Sequence, residues 1–421
     1  MATLQHIPRG FACSSGKKLT IFEYSDEAGV TKKEIELELP AENSSTDNKQ
    51  EDEDAIEKKA PSKNEEHVLA TSVSPSGRYL AVCDTVKQLH LFDAETEWTR
   101  HSTRELPRRC TSVTFTQDDL QVLVADKTGD VYRYNVKEGY TEGNSGEDDK
   151  GAQLMLGHLS MLLDVVLTND DKYIVTCDRD EKIRVSHYPN CYNIHTFCMG
   201  HKGYVSSLVY VERNSLLISG GGEGEIIVWT LSGERLAGAV CVDESQRSSQ
   251  DHGDFGVKKL SYDPDTGVLA AVCYGSNIVY VFRLENSELG TSLKQSVSMT
   301  TDVEPWDICF DCDHHFWVLQ PKEGDCARVY QWNNEAFMMR ILTTEEKRCR
   351  ASLLLEAINS SWEFFEESVG MYTHLPEGLR KVKIDNMKDY LEKKQERVSG
   401  TKRKIDQSES TETAEITQKD S

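Results

Sequence analysis

Long apolar runs are missing from this chain of 421 residues. No stretch approaches 18 consecutive apolar residues, so no transmembrane helix is expected. The opening MATLQHIPRGFACSSGKK has no apolar core of the kind that directs secretion. Basic residues are scarce: 48 Lys and Arg stand against 71 Asp and Glu, a formal net charge of −23. Such a surface repels nucleic acid, so any contact with RNA requires a local basic patch or a basic partner. Catalytic signatures are also missing: there is no Walker loop, no HExxH and no GxSxG. Twelve cysteines are scattered, and several fall inside strand-like runs, as in Val82-Cys83 and Val272-Cys273. That usage fits reduced, buried thiols of an intracellular protein better than a disulfide framework.

The chain does contain a repeat. One copy, 157–186, reads GHLSMLLDVVLTNDDKYIVTCDRDEKIRVS, and another, 200–229, reads GHKGYVSSLVYVERNSLLISGGGEGEIIVW. His158 to His201 and Ser186 to Trp229 are each 43 residues apart. A fixed period of ~40–45 residues with several short strands per copy is the mark of a WD-type β-propeller. On these copies the chain resembles the WD-repeat family. Residues 67–93 and 110–136 repeat the strand–turn–strand pattern, and 257–283 and 305–332 carry weaker copies. Six units are thus legible from 67 to 332. Two more strand-like runs, ASLLLEAI and SWEFFEE at 350–366, suggest an incomplete seventh whose missing strand comes from KLTIFEY at 18–24. The expectation is an all-β, seven-bladed propeller over 1–375, with one blade built from both chain ends so that no sheet edge stays open. The acidic segment 41–66 has almost no apolar content and reads as a disordered insertion. Ile384, Met387, Tyr390 and Leu391 make one apolar stripe, so 376–398 reads as a basic amphipathic helix and 399–421 as a disordered tail.

Several constellations invite chemistry. By resemblance to WD repeats, His158, Thr176 and Asp180 belong to a hydrogen-bonded brace, with Ser186 in place of the usual Trp. His201, Ser219 and Trp229 form the next brace, with Glu223 in place of Asp. Buried structural hydrogen bonding accounts for these histidines better than catalysis does. Gly220 to Gly224 looks like a nucleotide loop, but it joins two strands rather than opening a helix, which favours a tight turn. Cys309, Cys312, His314 and His315 are zinc-type ligands. No second CxxC accompanies them, so an ordinary strand and turn is the favoured reading and no metal is expected. The run Asp178 to Arg184 packs six charges into seven residues. It reads either as a solvated turn or as a docking patch on a propeller rim, with Lys127 in the matching turn one blade earlier. Lys402-Arg403-Lys404 reads either as a solvated tail or as an import signal.

GHLSMLLDV at 157–165, DRDEKIRVS at 178–186, VLVADKTGDVY at 122–132 and RRCTSVTF at 108–115 resemble the WD-repeat, non-catalytic subunit family of the tRNA guanine-N7 methyltransferases. YLEKKQER at 390–397 is similar too. The resemblance implies no cofactor and no catalytic group here. It implies instead a partner that uses S-adenosylmethionine to methylate N7 of a guanine in the tRNA variable loop, and a nuclear location. Lys127, Asp180, Glu181, Lys182 and Arg184 would meet that partner. Lys393, Lys394 and Arg397 of the basic helix would contact tRNA. A generic adaptor, such as a ubiquitin-ligase substrate receptor, is the alternative; no docking motif for ligase components stands out. A propeller hydrolase would need acidic or His residues from several blades in the channel, and the repeats offer no consistent position for them.

Overall fold

The computed structural model describes residues 2–37, 67–137, 151–241, 256–287, 290–333, 338–341, 349–370, 378–380 and 394. The chain divides into a compact unit, Met1–Arg380, and a second unit, Lys381–Ser421. Lys394, helical and exposed, is the described residue of the second unit. The acidic segment 41–66, the stripe at 384–391 and the tail at 399–421 lie outside the described residues.

Seven four-stranded antiparallel sheets make up the first unit, each in sequential strand order. Blade 1 holds β1 (Thr3–Ile7), β2 (Gly10–Ser15), β3 (Lys18–Ser25) and β4 (Gly29–Glu36). Blade 2 holds β5 (Val68–Val73), β6 (Tyr79–Asp84), β7 (Gln88–Asp93) and β8 (Thr99–Glu105). Blade 3 holds β9 (Cys110–Phe115), β10 (Gln121–Asp126), β11 (Asp130–Asn135) and β12 (Gln153–Gly157). Blade 4 holds β13 (Leu162–Leu167), β14 (Tyr173–Asp178), β15 (Ile183–His187) and β16 (Ile194–Cys198). Blade 5 holds β17 (Val205–Val211), β18 (Leu216–Gly221), β19 (Glu225–Thr230) and β20 (Arg235–Val240). Blade 6 holds β21 (Val257–Asp263), β22 (Val268–Cys273), β23 (Ile278–Ser287) and β24 (Gly290–Thr300). Blade 7 holds β25 (Asp307–Phe310), β26 (His315–Leu319), β27 (Ala327–Asn333) and β28 (Met338–Ile341).

The second strand of each blade is apolar almost throughout, as in YLAVCD of β6 and VLAAVC of β22, because neighbouring blades cover both of its faces. Outer strands face solvent, and β8, TRHSTRE, is largely exposed. The seven first strands ring a central channel, each meeting the next from β5 round to β25, then β1, then β5 again. Polar bonds lace that ring. Asp164 accepts from Ser112 Oγ at 2.7 Å on one side and from the Leu208 amide at 2.8 Å on the other. The Leu260 amide donates to Ser207 Oγ at 3.1 Å. Asp307 takes Lys259 Nζ at 2.5 Å and the Leu4 amide at 2.8 Å.

Two sequence expectations need correction. KLTIFEY is a strand, but it is the third strand of a blade supplied wholly by the N-terminal segment, so no blade is shared between chain ends. Residues 350–366 are not strands. They form α1 (Arg350–Asn359) and α2 (Trp362–Phe365). Ala351, Leu354, Leu355 and Ile358 are buried at helical spacing, and that period, not alternation, governs the run. The two helices seal the junction where blade 1 meets blade 7. Their apolar faces join Leu4, Phe11, Trp306 and Trp317 in one cluster, with Phe11 and Trp317 ring centroids 4.4 Å apart. All twelve cysteines are free and nine are buried, in agreement with the reading of reduced, packed thiols. Among the described residues no helix is long and apolar enough to cross a membrane.

Asp307→Ala removes the acceptor that ties blade 7 to blades 6 and 1. It leaves the Leu4 amide and the Lys259 ammonium without their partner, at an expected cost of about 2–3 kcal/mol. Denaturant unfolding of the full chain measures it, and an unchanged midpoint would show that apolar packing alone closes the ring.

Candidate functional site

The turns between second and third strands, and the loops from one blade to the next, lie at the same end of every sheet. In blade 4 the His158 imidazole, in the loop before β13, reaches Thr176 Oγ1 at 2.8 Å and Asp178 Oδ2 at 3.0 Å. The brace carboxylate is therefore Asp178 and not Asp180, because the strand-end position is the one that faces this loop. The other Asp178 oxygen accepts the amides of Asp180 and Lys182 and so fixes the turn. Burial pushes the Asp178 carboxyl up, but the His158 bond and these amides outweigh burial and hold it below the usual carboxylate range. In blade 5, His201 bridges Ser219 Oγ at 2.7 Å and Glu223 Oε1 at 2.6 Å, and Trp229 Nε1 donates to the same Ser219 at 2.8 Å, as the sequence implied. Gly220 to Gly224 is a strand–turn–strand connection. A Cβ on Gly222 would lie 2.5 Å from the Tyr204 ring, so close packing explains that glycine.

With Asp178 in the brace, Asp180 is released to the turn surface. Asp180, Glu181 and Lys182 are half-exposed, and Glu181 takes a left-handed backbone with φ of 74°. Lys127 is exposed in the matching turn of blade 3, where its amide bonds the Arg109 carbonyl at 3.1 Å. Arg184 is placed differently: it is 8% exposed. Its guanidinium donates to Ser186 Oγ at 2.8 Å, the Gly157 carbonyl at 3.1 Å and the Cys191 carbonyl at 2.7 Å. Strand alternation does separate Arg184 from Ile183 and Val185, but both faces of a blade are covered, so the opposite side is another interior. The Ser at the usual Trp position leaves the space that Arg184 enters. Lys393 and Arg397 lie outside the described residues, and Lys394 is exposed.

The rim of blades 3 and 4 also carries residues that sequence reasoning missed. Leu159, beside the brace histidine, is fully exposed, and Leu154, Tyr192, Ile194, Phe197 and Met199 are exposed along β12, β16 and the flanking loops. The signal was present: β16 reads IHTFC where the equivalent outer strand of blade 2 reads TRHSTRE. Arg108 and Arg109 are exposed in the loop entering blade 3, at the same end as Lys127 and Lys182. The zinc-type residues of blade 7 turn to carboxylates instead of to one another. His314 Nδ1 meets Asp263 at 3.1 Å, and His315 Nδ1 meets Asp311 at 3.2 Å. Cys312 instead receives Arg350 Nη1 at 3.3 Å.

Known proteins resemble this chain in sequence and in fold. The family model described as tRNA methyltransferase TRM82 WD40 domain matches residues 14–150 and 140–318. The chain is 38% identical over 338 residues to the Danio rerio tRNA (guanine-N(7)-)-methyltransferase non-catalytic subunit wdr4, covering 80% of this chain and 78% of the relative. It is 32% identical over 329 residues to the Homo sapiens protein of that description, covering 77% and 76%. Among solved structures, a chain of a mitotic checkpoint complex superposes with a TM-score of 0.56 at 13% identity, covering 78% of this chain and 88% of that one. U3-55K superposes with a TM-score of 0.55 at 17% identity, covering 75% and 86%. At such identities these structures speak for the propeller fold alone.

Arg184→Leu is expected to destabilise the chain by about 2–4 kcal/mol, because it strands two buried carbonyls and Ser186 Oγ. Thermal unfolding of the isolated chain measures it. No loss would mean that the three bonds contribute nothing net. A second expectation concerns acid. The depressed carboxyl of Asp178 contributes stability that is present above its unfolded value of 3.8 and is lost as pH falls through the lower folded value. The stability gap between the native chain and Asp178→Asn should therefore narrow below about pH 4, read from unfolding midpoints across pH. A gap that widens on acidification would contradict the brace.

Proposed function

The chain belongs to the tRNA methyltransferase TRM82 WD40-domain family, and from that premise we propose that it is the non-catalytic subunit of a tRNA guanine-N7 methyltransferase. It is not itself the enzyme. It holds an S-adenosylmethionine-dependent catalytic partner and helps position tRNA for m7G formation in the variable loop. Its place of work is the nucleus.

The observation that carries this reading is the rim of blades 3 and 4. Exposed Leu159, Phe197 and Met199 lie beside the turn that presents Asp180, Glu181 and Lys182, with Lys127 one blade away. Apolar anchors bordered by charges of both signs are the make-up of a specific protein interface: the anchors supply affinity and the charges fix register. Arg184 acts from inside. By holding the Gly157 and Cys191 carbonyls, it sets the loop that presents Leu159 and the segment that presents Tyr192. Direct contact is the work of Lys127, Glu181, Lys182 and the apolar residues. On a chain of net charge −23, Arg108 and Arg109 give this end a local cationic surface suited to phosphates, and Lys393, Lys394 and Arg397 are the tRNA contacts of the second unit.

Met199→Asp and Glu181→Lys should each weaken co-purification of the catalytic partner about tenfold or more, since interface anchors lose ≥ ~1.4 kcal/mol on such changes. Thermal unfolding of the isolated chain checks that each variant keeps its fold. Full retention of the partner by both variants would place the docking surface elsewhere on the ring. Replacing Lys393, Lys394 and Arg397 with Ala should leave the two proteins associated yet flatten the salt dependence of tRNA binding. The expected change is roughly 0.7–0.9 in log–log slope per lost phosphate contact. An unchanged slope would remove these residues from the tRNA surface.

A further inference from the structure

A cavity of about 610 Å³ opens where blades 6, 7, 1 and 2 meet at the channel. It is lined by Gln5, His6 and Pro8, by residues 72–75 and Gly77, by Ser261 and Tyr262, and by Cys309, Phe310 and Cys312. Turns between first and second strands, such as Pro75 to Gly77, form its lip. It therefore lies at the opposite end of the sheets from the turns of Lys127 and Glu181, and on other blades. Its size falls within the range of ligand pockets.

Three features of the wall define an occupant. First, no lining side chain is Asp, Glu, Lys or Arg. His6 is the titratable imidazole among them; burial pushes it below its ordinary value, and its Nε2 accepts the Cys312 amide at 3.4 Å, so it is neutral near pH 7. The neighbouring Arg350 is engaged by the Pro8 carbonyl at 2.9 Å and by Cys312. A charged ligand would lose hydration here without meeting a counter-charge on the wall itself, the Asp119 carboxylate at the lip being taken up by Ser74 and Ser76. Second, the Gln5 amide, the Ser72 and Ser261 hydroxyls and the Tyr262 phenol make no hydrogen bond within the described residues. Gln5, Ser72 and Ser261 stand on β1, β5 and β21, first strands of their blades, where neighbouring blades already take edge amides such as those of Leu4 and Leu260. The wall therefore offers chiefly side-chain donors and acceptors, which the amides and carbonyls of a peptide backbone complement. Third, half-buried Tyr262 and Phe310, with Pro8 and Pro75, supply apolar surface between those polar groups.

We propose that this end of the channel binds an uncharged, extended peptide segment. Its backbone pairs with the Gln5, Ser72 and Ser261 side chains, and its apolar side chains pack on Tyr262 and Phe310. The site is independent of the rim of blades 3 and 4, so a peptide and the catalytic partner bind together.

The test is a displayed random decapeptide library selected on the full chain with its catalytic partner bound, with counter-selection on Tyr262→Ala. Enriched sequences should lack Asp, Glu, Lys and Arg. Synthetic copies should bind the native chain, bind Tyr262→Ala and Gln5→Ala at least about tenfold more weakly, and bind Glu181→Lys as tightly as native. Thermal unfolding checks each variant; if Tyr262→Ala unfolds, Tyr262→Phe and Gln5→Ala carry the comparison. No enrichment over the counter-selected pool, a charged consensus, or peptides indifferent to both cavity variants would overturn the proposal. Loss of peptide binding in Glu181→Lys with the cavity variants silent would also overturn it, by assigning the peptides to the docking rim.

Discussion

The structure depends on one junction, the meeting of blade 1 with blade 7. Seven sheets in a row have two free ends, and each end exposes a face that its neighbours bury everywhere else. Here no strand is exchanged across the gap. Closure rests on Asp307, which takes the Leu4 amide, and on Phe11 packed against Trp317. Helices α1 and α2 cover the same seam with Leu354, Ile358 and Phe365. The C-terminal part of the first unit is thus a wedge over the junction rather than a fraction of a blade. This explains why its apolar residues recur at helical spacing.

A closed ring of blades has interior on both faces of its middle strands, and that decides which charges can meet a partner. Arg184 lies in the most charged stretch of the repeat, yet its guanidinium is spent on carbonyls and a hydroxyl of its own blade. The inward turn costs hydration of a cation, which burial registers by lowering its proton affinity. What reaches solvent from the same stretch is the turn itself. Asp178 holds that turn rigid by accepting its amides while its second oxygen binds His158. One carboxylate therefore links the blade interior to the surface proposed for docking.

The two ends of the ring differ in chemistry. Around blades 3 and 4 the end with the brace histidines combines exposed apolar residues with charges of both signs, a surface for a folded protein and for phosphates. The opposite end, at blades 6, 7, 1 and 2, has a cavity with uncharged walls, suited to a segment rather than a surface. The two proposals, an enzyme on one end and a peptide on the other, therefore draw on unlike surfaces.

Much of the propeller was legible in the chain. A 43-residue spacing, Gly-His before two of the units, and the Ser219–Trp229 and His201–Glu223 relations follow from contacts within one blade, and residues close in sequence report on one another. Local pattern also marked the turn at 178–184 and Lys127 as surface candidates. Other features depended on tertiary structure. Alternation told that Arg184 and Ile183 point apart, but not that a neighbouring blade covers each side. Nor could the run at 350–366 reveal its period until the seam between blades 1 and 7 was there to bury Ala351, Leu354, Leu355 and Ile358. The cavity at the channel mouth was hidden for the same reason. It is made by segments some 300 residues apart, Gln5 and Phe310 among them, and the ring closure that brings them together has no counterpart in local sequence.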